Sequence, residues 1–113
     1  MELKQLLKFI EMQDGRLKTY YNYTDEEKRI LSRTVKLAEE LGELSNEVLA
    51  HNAVQRKSKL DNHSAESLQG EFADVLITTL LLAKTLNVDI ETALEAKIEK
   101  LNKRHAEREA EKT

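Results

Sequence analysis

Acidic residues recur at three- and four-residue spacing in the segment KLAEELGELSNEVLA, residues 36–50. Glu40, Glu43 and Glu47 fall within about 60° of one another around an α-helix, because each residue turns the helix by about 100°. The leucines of the same segment occupy the adjoining sector, so these carboxylates border the face that should be buried. Like charges at this spacing repel each other. The pattern therefore indicates either a solvated acidic face or a bound cation.

A second acidic pair stands in GEFADVLITTL, where Glu71 and Asp74 are three residues apart and share a helix face. The helix becomes wholly apolar directly after them. Carboxylates at the entrance of a buried helix are costly unless they are neutralised or find a cation. With the two helices side by side, four carboxylates converge, and we predict a metal site made of Glu40, Glu43, Glu71 and Asp74.

The ligand types indicate which metal such a site would hold. Carboxylate ligands without cysteine or an obligatory histidine favour a hard cation, Mg²⁺, with Mn²⁺ as a substitute. A ferritin-like di-iron site would use Glu-x-x-His on its helices, and no histidine here follows a glutamate by three residues. Magnesium held by a few carboxylates keeps positions open for water and phosphate oxygens. The site therefore predicts phosphate chemistry.

Composition predicts that helices position these residues. The chain has no proline, three glycines and many strong helix formers, which favours a nearly all-helical protein. Asp14-Gly15 predicts the end of the first helix, a capping box from Thr24 to Glu27 predicts the start of the second, and Asp89 predicts the N-cap of the fourth. The expected helices are about 2–13, from Thr24 to about His51, from Ser64 or Ala65 to about Leu86, and from Ile90 past Arg104.

The third helix indicates how the helices assemble. Apolar residues surround its axis almost completely between Val75 and Leu86, and such a helix must be covered on all sides. We therefore predict an all-α protein, a compact four-helix-type bundle that oligomerisation completes. Residues 1–113 are expected to form one domain, with a frayed tail at 105–113.

Charge and hydropathy exclude several classes of protein. The net charge is -3, which does not favour nucleic-acid binding through phosphate neutralisation. The longest apolar run is too short for a membrane span and contains Lys84, and the N-terminus is a poor signal peptide. The chain has no cysteine, which fits the cytoplasm. We expect a soluble cytoplasmic protein that binds neither nucleic acid nor membrane.

The order of the acids resembles the motif of the MazG-like family of all-α nucleoside triphosphate pyrophosphohydrolases. That motif is Glu-Glu-x-x-Glu followed by Glu-x-x-Asp, here Glu39-Glu40-Leu41-Gly42-Glu43 and then Glu71-Phe72-Ala73-Asp74. The 27 residues between Glu43 and Glu71 make a long interval for the family. The segments KLAEELGEL, EFADVLITTLLLA and EAKIEKLNKR are also similar to the family, so the resemblance covers about residues 30–104.

This resemblance implies a magnesium-dependent enzyme that cleaves nucleoside triphosphates between the α- and β-phosphates, giving a nucleoside monophosphate and pyrophosphate. Cleaning of the nucleotide pool is the usual role. It also implies a homodimer or homotetramer. Glu40, Glu43, Glu71 and Asp74 would hold the metal, and Glu39 would support them. Glu43 or Glu39 is the candidate to orient the attacking water or take its proton.

The basic third segment supplies candidate ligands for the phosphate chain. Lys97, Lys100 and Arg104 share one face of the fourth helix, although lysine and arginine near a helix C-terminus also interact favourably with its dipole. Asn102 completes the resembling segment but points well away from Lys97 on an ideal helix.

The residues that would contact the nucleobase are least evident. Tyr20, Tyr21 and Tyr23 precede the second helix, and a tyrosine can stack on a base, but packing of the first helix against the bundle is the favoured interpretation. His51 and His63 are interpreted as surface histidines.

Three other functions fit parts of the pattern. Phosphoribosyl-ATP pyrophosphohydrolases share the superfamily and the reaction. A non-catalytic helical adaptor could instead bind a basic partner through its acidic face. An antitoxin or toxin-associated helical protein is a third alternative, without positive support in the charge distribution.

Overall fold

The computed structural model describes residues 1–22, 25–52 and 65–112, and its regular structure there is entirely α-helical. This confirms the predicted all-α class with four helices. The second, third and fourth helices begin within two residues of the predicted positions. The four helices are α1 (Leu3–Tyr21), α2 (Glu26–His51), α3 (Ala65–Thr85) and α4 (Ile90–Glu111).

Helix α1 does not end at Asp14-Gly15, so that prediction was wrong. The helix continues to Tyr21, and Asn22 ends it in the left-handed conformation (φ 49°, ψ 41°) while donating its N–H to the Lys18 carbonyl. Glycine permits a helix end but does not require one. Here Asp14 is buried and its contacts keep the backbone helical.

Arg33 joins the three helices that pack together. Its guanidinium donates a hydrogen bond to Asp14 Oδ1 of α1 at 2.6 Å and another to Thr85 Oγ1 of α3 at 2.5 Å. Lys18 Nζ lies 3.1 Å from the other oxygen of Asp14. Burial acts to raise the pKa of Asp14, but the hydrogen bonds and charges of Arg33 and Lys18 outweigh it and hold that pKa below its ordinary value.

The start of α2 differs from the prediction by one residue. Asp25 is the N-cap, since its Oδ1 accepts a hydrogen bond from the Glu27 backbone N–H at 2.9 Å. Thr24, Tyr23 and His63 lie outside the described residues, as do most of the connection between α2 and α3 and Ser64.

The turn between α3 and α4 closes α3 with paired backbone hydrogen bonds. The Val88 N–H donates to the Ala83 carbonyl at 2.9 Å, and the Asn87 N–H donates to the Lys84 carbonyl at 3.1 Å, the bonding of a Schellman motif. Asn87 takes the left-handed conformation (φ 57°). Asp89 then caps α4 by accepting the Thr92 N–H at 3.1 Å, as predicted, and this hydrogen bond holds the pKa of Asp89 below its usual range.

Helices α1, α2 and α3 pack together, while α4 stands apart. Helix α3 contacts both α2 and α1, and the buried apolar residues are Ile10, Ala50, Leu81 and Ala83. Every residue of α4 from Thr92 onward is exposed, and the helix extends through Glu111, into the segment that was expected to fray. No helix in the described residues is long and apolar enough to span a membrane.

The Arg33 contacts yield a prediction about stability. Asp14→Asn should lower the free energy of unfolding by on the order of 3 kcal/mol at neutral pH, because it leaves a largely buried guanidinium without its charge partner. Urea unfolding measures this loss, and Glu11→Gln, an exposed change on the same helix, is the control.

The same pair predicts how stability depends on pH. Because the pKa of Asp14 is lower in the folded chain than its ordinary value of 3.8, its contribution is present above that value and is lost as the pH falls through the folded pKa. The difference between wild type and Asp14→Asn should therefore shrink below about pH 4. Equal unfolding free energies at pH 7 would contradict this account.

Candidate active site

Packing of α2 against α3 brings three of the predicted metal ligands together. Glu40 and Glu43 project from α2 and Glu71 from α3, and each offers a carboxylate oxygen within 4.8 Å of the others. Glu40 is buried, Glu71 is half-buried and Glu43 is exposed. We call these three residues the acidic cluster. It therefore has a shielded side towards the helices and an open side towards solvent.

Two oxygens of the acidic cluster lack hydrogen-bond partners. Glu40 Oε2 and Glu71 Oε2 are shielded from solvent, and neither accepts a hydrogen bond from any described residue. A buried carboxylate oxygen without a partner is costly. The donors are oxygens only, which is the ligand type that Mg²⁺ and Mn²⁺ prefer. The residues present therefore fit a hard divalent cation.

Negative charges surround Glu71 in the acidic cluster. Burial, followed by the charges of Glu43, Asp74, Glu40 and Glu47, raises the pKa of Glu71. Each of these contributions disfavours another negative charge at this position. A bound cation would offset these unfavourable contributions, so the site favours the binding of a positive charge.

Asp74 and Glu39 lie beside the acidic cluster. Asp74 is exposed and lies about one turn after Glu71 on α3, outside the group within 4.8 Å. Its charge nevertheless acts on Glu71. Glu39 is also exposed and lies at the outer edge of α2, with its Oε2 3.8 Å from Lys36 Nζ. The structure thus brings three of the four predicted ligands together and leaves the fourth adjacent to them.

Lys36 is a site residue that the sequence analysis missed. Its Nζ lies 3.1 Å from Glu40 Oε1, and the hydrogen bond with Glu40, followed by the charge of Glu39, raises the pKa of Lys36. The spacing of four residues between Lys36 and Glu40, which places them on one helix face, was the available signal. A lysine at the edge of the cluster can turn its ammonium towards either a carboxylate or a phosphate.

Glu47 extends the acidic face of α2 by a further turn. Its side chain is largely buried, and its Oε2 lies 3.8 Å from His51 Nε2. Glu47 is also among the residues that raise the pKa of Glu71. The exposed His51 therefore lies at the end of this acidic face and contacts one of its members.

The predicted phosphate ligands are not at the acidic cluster within one chain. Lys97, Lys100, Asn102 and Arg104 are all exposed on α4, the helix that stands apart from the others. In the described part of the chain, Glu39 and Glu40 form ion pairs with Lys36 and not with these residues. Their contact with a phosphate chain stays a prediction.

Tyr20 and Tyr21 lie in the last turn of α1. Tyr20 is 79% exposed, so the packing interpretation was wrong for this residue. The rings of Tyr20 and Tyr21 contact each other edge to face at 4.9 Å. Tyr21 lines a cavity.

That cavity adjoins the acidic edge of α2 and was not predicted. Its volume is about 530 Å³, within the usual range for small-molecule sites. Apolar side chains from α1, α2 and α3 line it together with cationic and polar ones from α2 and α3, and Glu39 and Lys36 lie where it approaches the cluster. The lining residues are Leu17, Tyr21, Arg29, Leu31, Ser32, Arg33, Val35, Lys36, Glu39, Thr78 and Leu81.

Comparison with known proteins agrees with this geometry. Residues 28–108 match the MazG nucleotide pyrophosphohydrolase domain. The chain is also 33% identical over 78 residues to the uncharacterized protein YpjD of Bacillus subtilis (strain 168), an alignment that covers 69% of this chain and 68% of YpjD. No solved structure matches the chain significantly. The match includes both acidic motifs and most of α4, and the chain belongs to the MazG nucleotide pyrophosphohydrolase family.

Proposed function

We propose that this protein is a Mg²⁺-dependent nucleoside triphosphate pyrophosphohydrolase. It converts ribo- or deoxyribonucleoside triphosphates into monophosphates and pyrophosphate, and cleans the nucleotide pool of the cytoplasm. The observation that carries the proposal is the acidic cluster, in which Glu40, Glu43 and Glu71 converge and two carboxylate oxygens have no hydrogen-bond partner in the described part of the chain. Membership of the MazG family supports the reaction class.

The proposed mechanism gives each acid a task. Glu40, Glu43 and Glu71 would hold Mg²⁺, or Mn²⁺ in its place, and Asp74 would join them from the adjacent turn of α3. A bound ion would neutralise charge on the phosphate oxygens and acidify water. Hydrolysis of a phosphoanhydride depends mainly on such neutralisation and on in-line placement of water.

The remaining tasks are to activate water and to hold the rest of the substrate. A carboxylate at the open side of the cluster, Glu43 or the neighbouring Glu39, orients the water and accepts its proton. The water oxygen forms a new bond to the α- or the β-phosphorus, and the bond from that phosphorus to the bridging anhydride oxygen breaks. The bridging oxygen leaves with pyrophosphate when the α-phosphorus is attacked, and with the monophosphate when the β-phosphorus is attacked. The cavity beside Glu39 has the size and the apolar floor for a nucleoside, and Tyr21 is placed to contact its base.

We also propose that the protein works as a homodimer or homotetramer. Large apolar residues remain exposed on α2 and α3, among them Val35 at the cavity and Phe72 and Leu76 beside the α3 acids. Extensive exposed apolar surface is typical of protein interfaces. A second copy would cover it without adding charge.

Pyrophosphate release is the direct test of the proposed reaction. The protein should release pyrophosphate from some member of a panel of canonical and modified nucleoside triphosphates with Mg²⁺ or Mn²⁺, and not with EDTA. Glu71→Gln should reduce the rate by at least about 100-fold, the usual scale when an essential charged contact to the reacting groups is removed. Glu66→Gln, an exposed change on the same helix, should leave the rate unchanged.

The panel also separates the competing functions. If the protein releases pyrophosphate only from phosphoribosyl-ATP, then that compound is its substrate in place of the nucleoside triphosphates. No release from any member, by a folded protein, would favour the acidic adaptor.

Thermal unfolding tests the metal site independently of catalysis. Mg²⁺ should raise the melting temperature of the wild type by several degrees, since saturation a hundredfold above Kd adds about 2.7 kcal/mol of stability. Glu71→Gln should remove this shift. It should also melt above the wild type in EDTA, because it removes a charge for which burial, followed by repulsion from the neighbouring acids, raises the pKa of Glu71. An undiminished Mg²⁺ shift in Glu71→Gln would contradict the ligand assignment, and Glu66→Gln is again the control.

A further inference from the structure

Lys36 lies where the cavity along α2 meets the acidic cluster. Its Nζ is 3.1 Å from Glu40 Oε1 and 3.8 Å from Glu39 Oε2, and its side chain also lines the cavity. The same ammonium therefore faces two regions to which the proposed function gives different parts of the substrate.

Three cationic residues line the cavity, and they differ in how firmly they are held. Arg29 pairs with Glu26, and Arg33 pairs with the buried Asp14. The side chains of both arginines are only 11% exposed. The side chain of Lys36 is 55% exposed and ends in an ammonium on a flexible stem. Lys36 is therefore the cavity cation that can change its partner without disturbing the packing of the helices.

The carboxylate that Lys36 contacts is also a member of the proposed metal site. The Glu40 side chain is 9% exposed. Its Oε1 lies beside the Lys36 ammonium, while its Oε2 has no hydrogen-bond partner among the described residues. A positive charge on this carboxylate weakens its attraction for a second cation, because the two cations repel each other. Lys36 and a divalent ion consequently compete for the charge of Glu40.

The shape of the substrate supplies an alternative partner for Lys36. In a nucleoside triphosphate, the α-phosphate joins the nucleoside to the rest of the phosphate chain. If the nucleoside occupies the cavity and the chain reaches the acidic cluster, the α-phosphate lies at their junction, beside Lys36. Its anionic oxygens can accept a charge-assisted hydrogen bond from the ammonium in place of Glu40.

We propose that Lys36 exchanges partners during substrate binding, from the Glu40 carboxylate to the α-phosphate of the nucleotide, and so leaves Glu40 to the metal ion. The inference rests on the proposed function and adds a residue outside the two acidic motifs and the basic segment of α4. Substrate and metal then bind cooperatively, because the phosphate removes the cation that competes with the metal. This coupling is reciprocal, so the metal also strengthens binding of the nucleotide.

Manganese binding without nucleotide tests the competition at Glu40. Lys36→Met keeps an unbranched side chain and removes the charge, so it should lower the Kd for Mn²⁺ about fivefold. Lys36→Arg keeps the charge and should bind Mn²⁺ as the wild type does. Lys28→Met removes an exposed charge about two turns earlier on α2 and is the control, with an unchanged Kd. The electron paramagnetic resonance signal of free Mn²⁺ measures all four proteins.

Turnover should change in the opposite direction. With the triphosphate that is cleaved fastest in the nucleotide panel, Lys36→Met should lower kcat/KM at least about tenfold, the scale of one lost hydrogen bond to a charged group. Lys36→Arg should recover most of this loss, and Lys28→Met should match the wild type. A residue with only a structural role would not tighten metal binding while it reduces turnover.

The reaction products locate the phosphate contact. The monophosphate product carries the α-phosphate, whereas pyrophosphate and the free nucleoside do not. Lys36→Met should therefore raise the inhibition constant of the monophosphate about tenfold. It should leave the inhibition constants of pyrophosphate and of the nucleoside unchanged.

Each half of the exchange has a result that would overturn it. Unchanged or weaker Mn²⁺ binding by Lys36→Met would show that Lys36 does not compete with the metal. Unchanged kcat/KM in this variant, beside an active wild type, would rule out the contact with the α-phosphate. A wild type that cleaves no triphosphate would instead refute the proposed function, and the Mn²⁺ titration would still decide the competition at Glu40.

Discussion

Repulsion among the carboxylates of Glu40, Glu43 and Glu71 is the constraint on which the proposed site depends. Packing of α2 against α3 holds oxygens of these residues within 4.8 Å of one another, and burial together with neighbouring charges raises the pKa of Glu71. Like charges destabilise a fold unless a favourable interaction offsets them. A divalent cation would supply that interaction at the place where two buried oxygens have no hydrogen-bond partner among the described residues.

The helices resist this repulsion through contacts about two turns away. Arg33 precedes Glu40 by seven residues on α2 and binds Asp14 of α1 and Thr85 of α3. The ion pair is largely buried, so solvent screens it weakly. The same face of α2 then carries Lys36, which contacts the cluster. The cation that joins the helices and the acids that would bind metal are consequently parts of one continuous face.

The sequence determined the parts of the fold that have strong local signals. Apolar and acidic residues at helical spacing predicted α2 and α3, and Asp89 predicted the start of α4. The spacing of Glu40, Glu43 and Glu71 on these helices predicted that their carboxylates converge. Asp14-Gly15 misled because one partner of Asp14, Arg33, lies 19 residues away along the chain, and local turn chemistry carries no information about that contact. Lys36 was recognisable from its spacing to Glu40. The cavity and the exposure of α4 could not be recognised from the sequence, because they depend on how separate helices pack.

Manganese binding followed by electron paramagnetic resonance tests the central claim most directly, since bound Mn²⁺ loses the sharp signal of the free aqueous ion. Titrating the wild type in the absence of nucleotide should remove that signal until the carboxylate site is filled, and Glu71→Gln should leave most of the Mn²⁺ free at the same protein concentration. Equal binding by the wild type and Glu71→Gln would show that Glu40, Glu43 and Glu71 do not form the metal site.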